Sequence, residues 1–256
     1  AGMRILTQTI TSPTLGSQIK EFSDLFPKAK WHQYEPVGRD NIHTGSQMAF
    51  GKLAATQYRF DQADIVLAIG SDFLTFGPGH LRYARDFTSR RKIDHEQADL
   101  NRLYVVESTP SNTGTMADHR LPLRPREIES FTRFLAHLLG ISVDFSPIEK
   151  HKDWIIELAQ DLKKHQGTSL IIPGEQQPPI VHGLAHAINH KLGNIDSTVS
   201  HTEPVESHPT NQLDSLQELI EDMKNGQVDM ITIIEGNPVF DSPVDLEFSK
   251  HLSNVR

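Results

Sequence analysis

The chain reads as an α/β protein built on parallel sheets, and two observations predict it. Three short apolar runs, Asp64–Asp72, Leu103–Thr109 and Met230–Pro238, each hold several consecutive aliphatic or β-branched residues and stop at Gly, Ser or Asn. They are too short for helices and do not alternate, as expected of strands buried on both faces of a parallel sheet. Between such runs lie stretches of helical period, so strands and helices alternate.

Ile5 to Ile10 reads as the first strand, and Thr11-Ser12-Pro13 as a helix start, with a hydroxyl before a first-turn proline. That helix carries Leu15, Ile19, Phe22 and Phe26 on one face. Trp31 to Tyr34 reads as a strand, residues 37–47 as loop, and Met48 to Tyr58 as a helix. The buried strand 65–70 follows, then the turn Gly77-Pro-Gly79 and a short helix over Leu81–Phe87. Ser89 to Asp99 is a run of mixed charge, the composition of a solvated loop. After strand 103–107 comes a Ser/Thr/Asn/Gly loop over 108–115, an extended Leu121–Pro125 and a helix from Arg126 to Leu139 that stops at Gly140. Residues 141–150 read as a joint. Helix 154–162, strand Ser169–Gly174, helix 181–192, a polar segment 198–212, helix 213–224, strand 229–234 and a helix around 246–252 complete the series.

The 256 residues suffice for one large domain or two joined ones. A net charge of −8 disfavours nucleic acid and anionic membranes as partners. No apolar run approaches the ~18 residues of a membrane span, and there is no signal-like leader. With no cysteine, disulfides, thiolate catalysis and Cys-ligated zinc or iron–sulfur clusters are excluded within this chain. Ala1-Gly2 before Met3 reads as a cloning remnant, and the ends read as those of a piece of a longer protein.

Ligands of open α/β sheets sit beyond the carboxyl ends of the strands. Gly70-Ser71-Asp72 lies there, with a glycine that lets a backbone come close and two side chains able to hydrogen-bond a ligand. So does Glu107-Ser108-Thr109, whose acid stands where nucleotide folds commonly bind a ribose. A plain turn accounts for either as well. His182, His186 and His190 recur every fourth residue and share a helix face, a spacing that can hold zinc, but Gly183 stands where a metalloprotease has its glutamate. No P-loop, GxGxxG or G-x-S-x-G is present.

Taken in order, these segments resemble the large-subunit family of molybdopterin oxidoreductases. Its Gly-Ser-Asn-Pro corresponds to Gly70-Ser71-Asp72-Phe73, and its Ile-Asp-Pro-Arg to Val106-Glu107-Ser108-Thr109. Its Thr-rich loop, Ala-Asp and Leu-Pro-Ile-Arg-Pro correspond to Thr113 and Thr115, Ala117-Asp118 and Leu121–Pro125. Its later strand ending in Gly corresponds to Ile171–Gly174, its Leu-Thr-Gly-Asn-Ile to Lys191–Ile195, and its Gly-Asn-Pro to Gly236-Asn237-Pro238. Thr9–Thr14, Ala49–Gly51 and Gly236–Pro243 are most similar to the molybdopterin-enzyme-like part of the B subunit of alternative complex III, a bacterial membrane quinol oxidoreductase.

The resemblance implies two interleaved, Rossmann-like, three-layer α/β domains: residues 1–35 with 149–256, and 36–148 inserted. It implies Gly70, Ser71, Asp72, Glu107, Ser108, Thr109, Gly174, Gly236 and Asn237 as contacts of molybdopterin guanine dinucleotide, if a cofactor is retained. Three departures point to its loss. The metal-ligand window Pro36–Asp40 holds neither thiol nor hydroxyl, leaving Asp40 as the sole weak metal candidate beside His182 and His186. Asp72 replaces an asparagine near the diphosphate, where like-charge repulsion costs on the order of 1 kcal/mol. Val106-Glu107-Ser108-Thr109 lacks the family's arginine. The resemblance thus implies a module without catalytic residues or bound molybdenum, partnered by an iron–sulfur domain of its parent chain and by other subunits of a membrane complex. The parent would be exported to the periplasmic face of the inner membrane, without direct insertion of this module. The alternative is the cofactor-binding region of an active oxidoreductase.

Overall fold

The structure is a computed structural model that describes residues 2–93 and 100–255. Its elements in chain order are β1 (Met3–Thr7), α1 (Pro13–Leu25), β2 (Lys30–Gln33), α2 (Asp40–Phe50), β3 (Ala55–Tyr58), β4 (Ile65–Ile69), α3 (His80–Ser89), β5 (Arg102–Glu107), α4 (Asn112–Thr115), β6 (His119–Pro122), α5 (Pro125–Leu138), α6 (Lys152–Lys164), β7 (Ser169–Pro173), α7 (Pro179–Lys191), β8 (Val199–Thr202), α8 (Gln212–Lys224), β9 (Met230–Ile234), α9 (Pro238–Asp241) and α10 (Phe248–Leu252). The fold is α/β with parallel sheets flanked by helices. Backbone contacts divide it into two units, Ala1–Asp40 with Pro204–Arg256, and Asn41–Glu203.

The larger unit is built on a four-stranded sheet in the order β6-β5-β4-β7, parallel throughout. Alternate residues explain its two covered faces. Ile65, Leu67, Ile69, Tyr104, Val106 and Ile171 point to one side and pack on residues of α5, α6 and α7. Val66, Ala68, Leu103, Val105, Leu170 and Ile172 point to the other, where Phe60, Phe73, Tyr83 and Phe87 form an aromatic cluster; the Phe60 and Phe73 rings stack 4.2 Å apart. A separate antiparallel ribbon joins β3 to β8. The open edge of β7 is closed by a side chain: Asn189 accepts from the Ile171 N–H at 3.1 Å and donates to the Ile171 carbonyl at 2.9 Å, as a neighbouring strand would. Asn194 donates to Asn189 and accepts from Ser169. Asn194 of the family-like Lys191–Ile195 segment is thus a buried structural residue.

In the smaller unit a parallel sheet runs β2-β1-β9. Ile5, Ile10 and Ile19 pack on one side of it and Leu6, Leu216, Leu219, Ile220 and Met223 on the other. Ser12 caps α1 by accepting from the Leu15 N–H, and Pro13 follows it, as the sequence predicts. Arg4 is buried against Asp222 at 2.8 Å, and Lys30 shares that carboxylate.

Several expectations change. Residues 149–203, which the resemblance assigns to the first domain, run with the larger unit, because β7 pairs with β4. The expected loop 37–47 is mostly α2, and the expected helix 48–58 divides into the end of α2 and β3. Gly45 lowers the helical signal there, yet it lets α2 lie close on α7: a Cβ at this position would overlap that of His182. The segment 198–212 contains β8. β9 is an edge strand, bonded on one side to β1 and largely exposed, rather than a fully buried one. Of the charge run, residues 94–99 lie outside the described residues. Arg90 pairs with Asp64 at 2.7 Å and Arg91 bonds Asn101 and Asp118, so these arginines hold the fold's own surface.

Candidate functional site

The carboxyl ends of β4, β5 and β7 surround a cavity of about 270 Å³, lined by Gly70, Asp72, Glu107, Ser108, Thr109, Ser111, Pro125, Ile128, Gln176 and Gln177. This is where the parallel topology puts ligands. Five of the nine residues named for cofactor contact meet here. Ser71 is buried beside them. Gly174 lies under the rim, where its N–H donates to the Ile69 carbonyl at 2.9 Å. Gly236 and Asn237 belong to the smaller unit, where Gly236 has a positive φ of 68° and Asn237 turns the chain into α9.

Gly70, Asp72, Glu107 and Gly174 already have internal tasks. Gly70 has φ 61°, a conformation that suits glycine. A Cβ on Gly174 would overlap the Gly70 carbonyl oxygen, so this pair exists to let the exits of β4 and β7 approach. The open side of Gly70 is taken by glutamines: Gln176 Nε2 donates to the Gly70 carbonyl at 2.6 Å, and Gln177 Nε2 sits where a Cβ of residue 70 would be. Asp72 Oδ1 accepts from the N–H and hydroxyl of Thr113, at 2.9 and 2.7 Å. Glu107 is buried and ion-paired with Arg120 at 2.6 Å, and its other oxygen accepts from the Ser111 hydroxyl at 2.7 Å. Glu107 also lies against Gly114, where a Cβ would overlap its carboxylate. Ser111 in turn caps α4 through the Gly114 N–H.

The lining therefore presents two carboxylates, hydroxyls and amides, with no ammonium or guanidinium group. A dinucleotide with a diphosphate does not fit that set. Of the two acids, Glu107 is paired with Arg120 and Asp72 has no cationic partner, while Gln176 and Gln177 occupy the open side of Gly70. Sequence reasoning named Ser111 only as the end of the motif after β5 and missed both glutamines, Pro125 and Ile128 as lining. Gln176 and Gln177 lie directly after Gly174, so the glycine that ends β7 was the available signal.

The metal candidates belong to different units, Asp40 to the smaller and His182 and His186 to the larger. Asp40 accepts from the Gln212 and Leu213 N–H groups at 2.9 and 3.3 Å, which satisfies the first turn of α8. His182 and His186 share a face of α7, but among the described residues no group of three His, Asp or Glu side chains is arranged to hold a metal ion. Both are buried, and desolvation pushes each imidazole down to about 4. Among the described residues no helix is long and apolar enough to cross a membrane.

No protein-family model and no curated protein matches the chain. Among solved structures, it is similar to a chain of the formyltransferase/hydrolase complex from Methylorubrum extorquens, solved with methylofuran, with a TM-score of 0.50 and 11% identity over 76% of this chain. This chain spans about half, 51%, of that one. At that identity the likeness speaks for the fold alone.

Proposed function

We propose that this chain is a non-catalytic, molybdopterin-oxidoreductase-like module of a respiratory, quinol-oxidising membrane complex. It serves as a scaffold for an iron–sulfur domain of the same parent chain and for neighbouring subunits on the periplasmic face of the inner membrane. One observation carries the loss of cofactor binding: the cavity beyond β4, β5 and β7 is walled by Asp72 and Glu107 and holds no cationic side chain. The assignment to a respiratory complex rests on the ordered sequence resemblance.

The competing reading is the cofactor-binding region of an active molybdopterin guanine dinucleotide enzyme. The position of the cavity favours it, and the lining opposes it. Titration calorimetry with guanosine diphosphate separates the two. The scaffold reading expects no saturable heat at millimolar ligand; micromolar affinity, weakened by Gln176→Glu, would overturn it. Purification from the membranes of the native host tests the partner claim. Co-migration with iron–sulfur subunits and quinol oxidation is expected, whereas a free species outside any complex contradicts it.

A further inference from the structure

A group of imidazoles in the larger unit takes no part in the cavity. His182 and His186 come from α7 and His201 from β8. The His186 and His201 rings lie 5.4 Å apart. Phe50, the last residue of α2, lies across both, at 4.8 and 4.6 Å. Phe50 is itself 38% exposed, whereas His182 and His186 are buried. The Nε2 atoms of His182 and His201 are buried without a hydrogen-bond partner. α2 rests directly on α7 here, because Gly45 meets the His182 side chain.

We propose that His182, His186 and His201, with Phe50 across the last two, form an acid-sensitive latch that holds α2 and β8 on α7 and releases them when an imidazole is protonated. The surroundings supply almost no countercharge. From α2 the other titratable side chains are His43 and, at its first residue, Asp40, which bonds the first turn of α8; the far end of α7 brings His190 and Lys191, and the turn before β8 brings Asp196, whose carboxylate favours a charged His201. β3, paired with β8, brings no charged side chain. In the loop before α7, Glu175 and Gln177 present backbone hydrogen bonds to His182. His186 has only other histidines as charged neighbours, and each opposes its protonation. A proton on His182 or His186 is thus buried with no carboxylate beside it, and on His186 it meets the other imidazoles, so opening the latch relieves it.

The place of the latch gives it a consequence. The chain enters the larger unit at the start of α2 and leaves it just after β8. Loosening these two elements frees both connections while the β6-β5-β4-β7 sheet stays intact. With an ordinary value of 6.5 in the released state and about 4 in the closed one for His182 and His186, the opening equilibrium shifts by roughly 20-fold per imidazole between pH 7 and pH 5.

Hydrogen exchange of the whole chain at pH 7 and pH 5, expressed as protection factors, tests this. Protection of α2 and β8 amides should fall at least tenfold at pH 5, with β4 and β5 unchanged. His186→Phe, which keeps a ring but cannot be charged, should reduce that dependence, and His201→Phe provides a second variant if the first does not fold. The proposal is overturned if α2 and β8 keep their protection at pH 5, if β4 and β5 lose theirs in parallel, or if the dependence persists in the folded variants. It is also overturned if equimolar zinc at pH 7 raises protection of α7 and β8, since the cluster would then be a ligand set.

Discussion

Replacing Arg120 by Met tests whether Glu107 is a structural carboxylate rather than a ligand contact. The Glu107 side chain is 6% exposed and that of Arg120 28%. Removing one partner of a fully buried pair costs about 3–5 kcal/mol. Two features reduce that here. Arg120 is partly solvated, and Ser111 continues to donate to Glu107 through its hydroxyl and N–H. A loss of about 2 kcal/mol is therefore expected, or roughly 4–8 °C in Tm for a domain of this size. Urea unfolding of wild type, Arg120→Met, Glu107→Gln and the double variant forms a cycle, with a coupling of about 1–2 kcal/mol expected for residues in contact. Additive losses, or an Arg120→Met effect below about 0.5 kcal/mol, would show that Glu107 is not held by Arg120 and return it to the pool of available ligand contacts.

Other perturbations have equally definite outcomes. Asn189→Leu strips the Ile171 N–H and carbonyl of their partner and should cost about 2–4 kcal/mol in urea unfolding; a loss under 1 kcal/mol would mean the β7 edge finds another partner. Gly174→Ala forces a Cβ onto the Gly70 backbone and should cost about 1–3 kcal/mol, checked by calorimetric Tm. Stability should also fall with acid. His182 and His186 have folded values of about 4, below the ordinary 6.5, so the unfolded chain binds more protons between them, and stability is full above about pH 6.5 and lost as pH falls toward 4. At pH 5 the two together remove about 2–4 kcal/mol, readable as a Tm decrease that His186→Phe should lessen.

Much of the fold was legible because it follows from short-range patterns. The apolar runs at β4, β5 and β7 needed no context to be read as buried parallel strands, and Ser12-Pro13 announced α1. What failed depended on partners distant in sequence. α2 owes its place to Gly45 meeting His182 on α7, so its own composition reads as loop. β9 has the residues of a buried strand, but it lies at a sheet edge, which nothing within Met230–Ile234 states. The assignment of residues 149–203 turned on one pairing, β7 with β4. At the site, topology located the cavity and named Gly70, Asp72, Glu107, Ser108 and Thr109 as its lining. It did not reveal that Arg120, Ser111, Thr113 and the two glutamines already engage Gly70, Asp72 and Glu107, since these partners lie up to about a hundred residues away in the chain.

On the scaffold reading, the strand-end cavity keeps the geometry of a cofactor site without the capacity to bind one. The most direct test is the molybdenum and pterin content of the protein purified from its native host, by elemental mass spectrometry and by fluorescence of the oxidised pterin. Neither is expected in stoichiometric amount. One molybdenum with its pterin per chain, lost on Gln176→Glu, would contradict it.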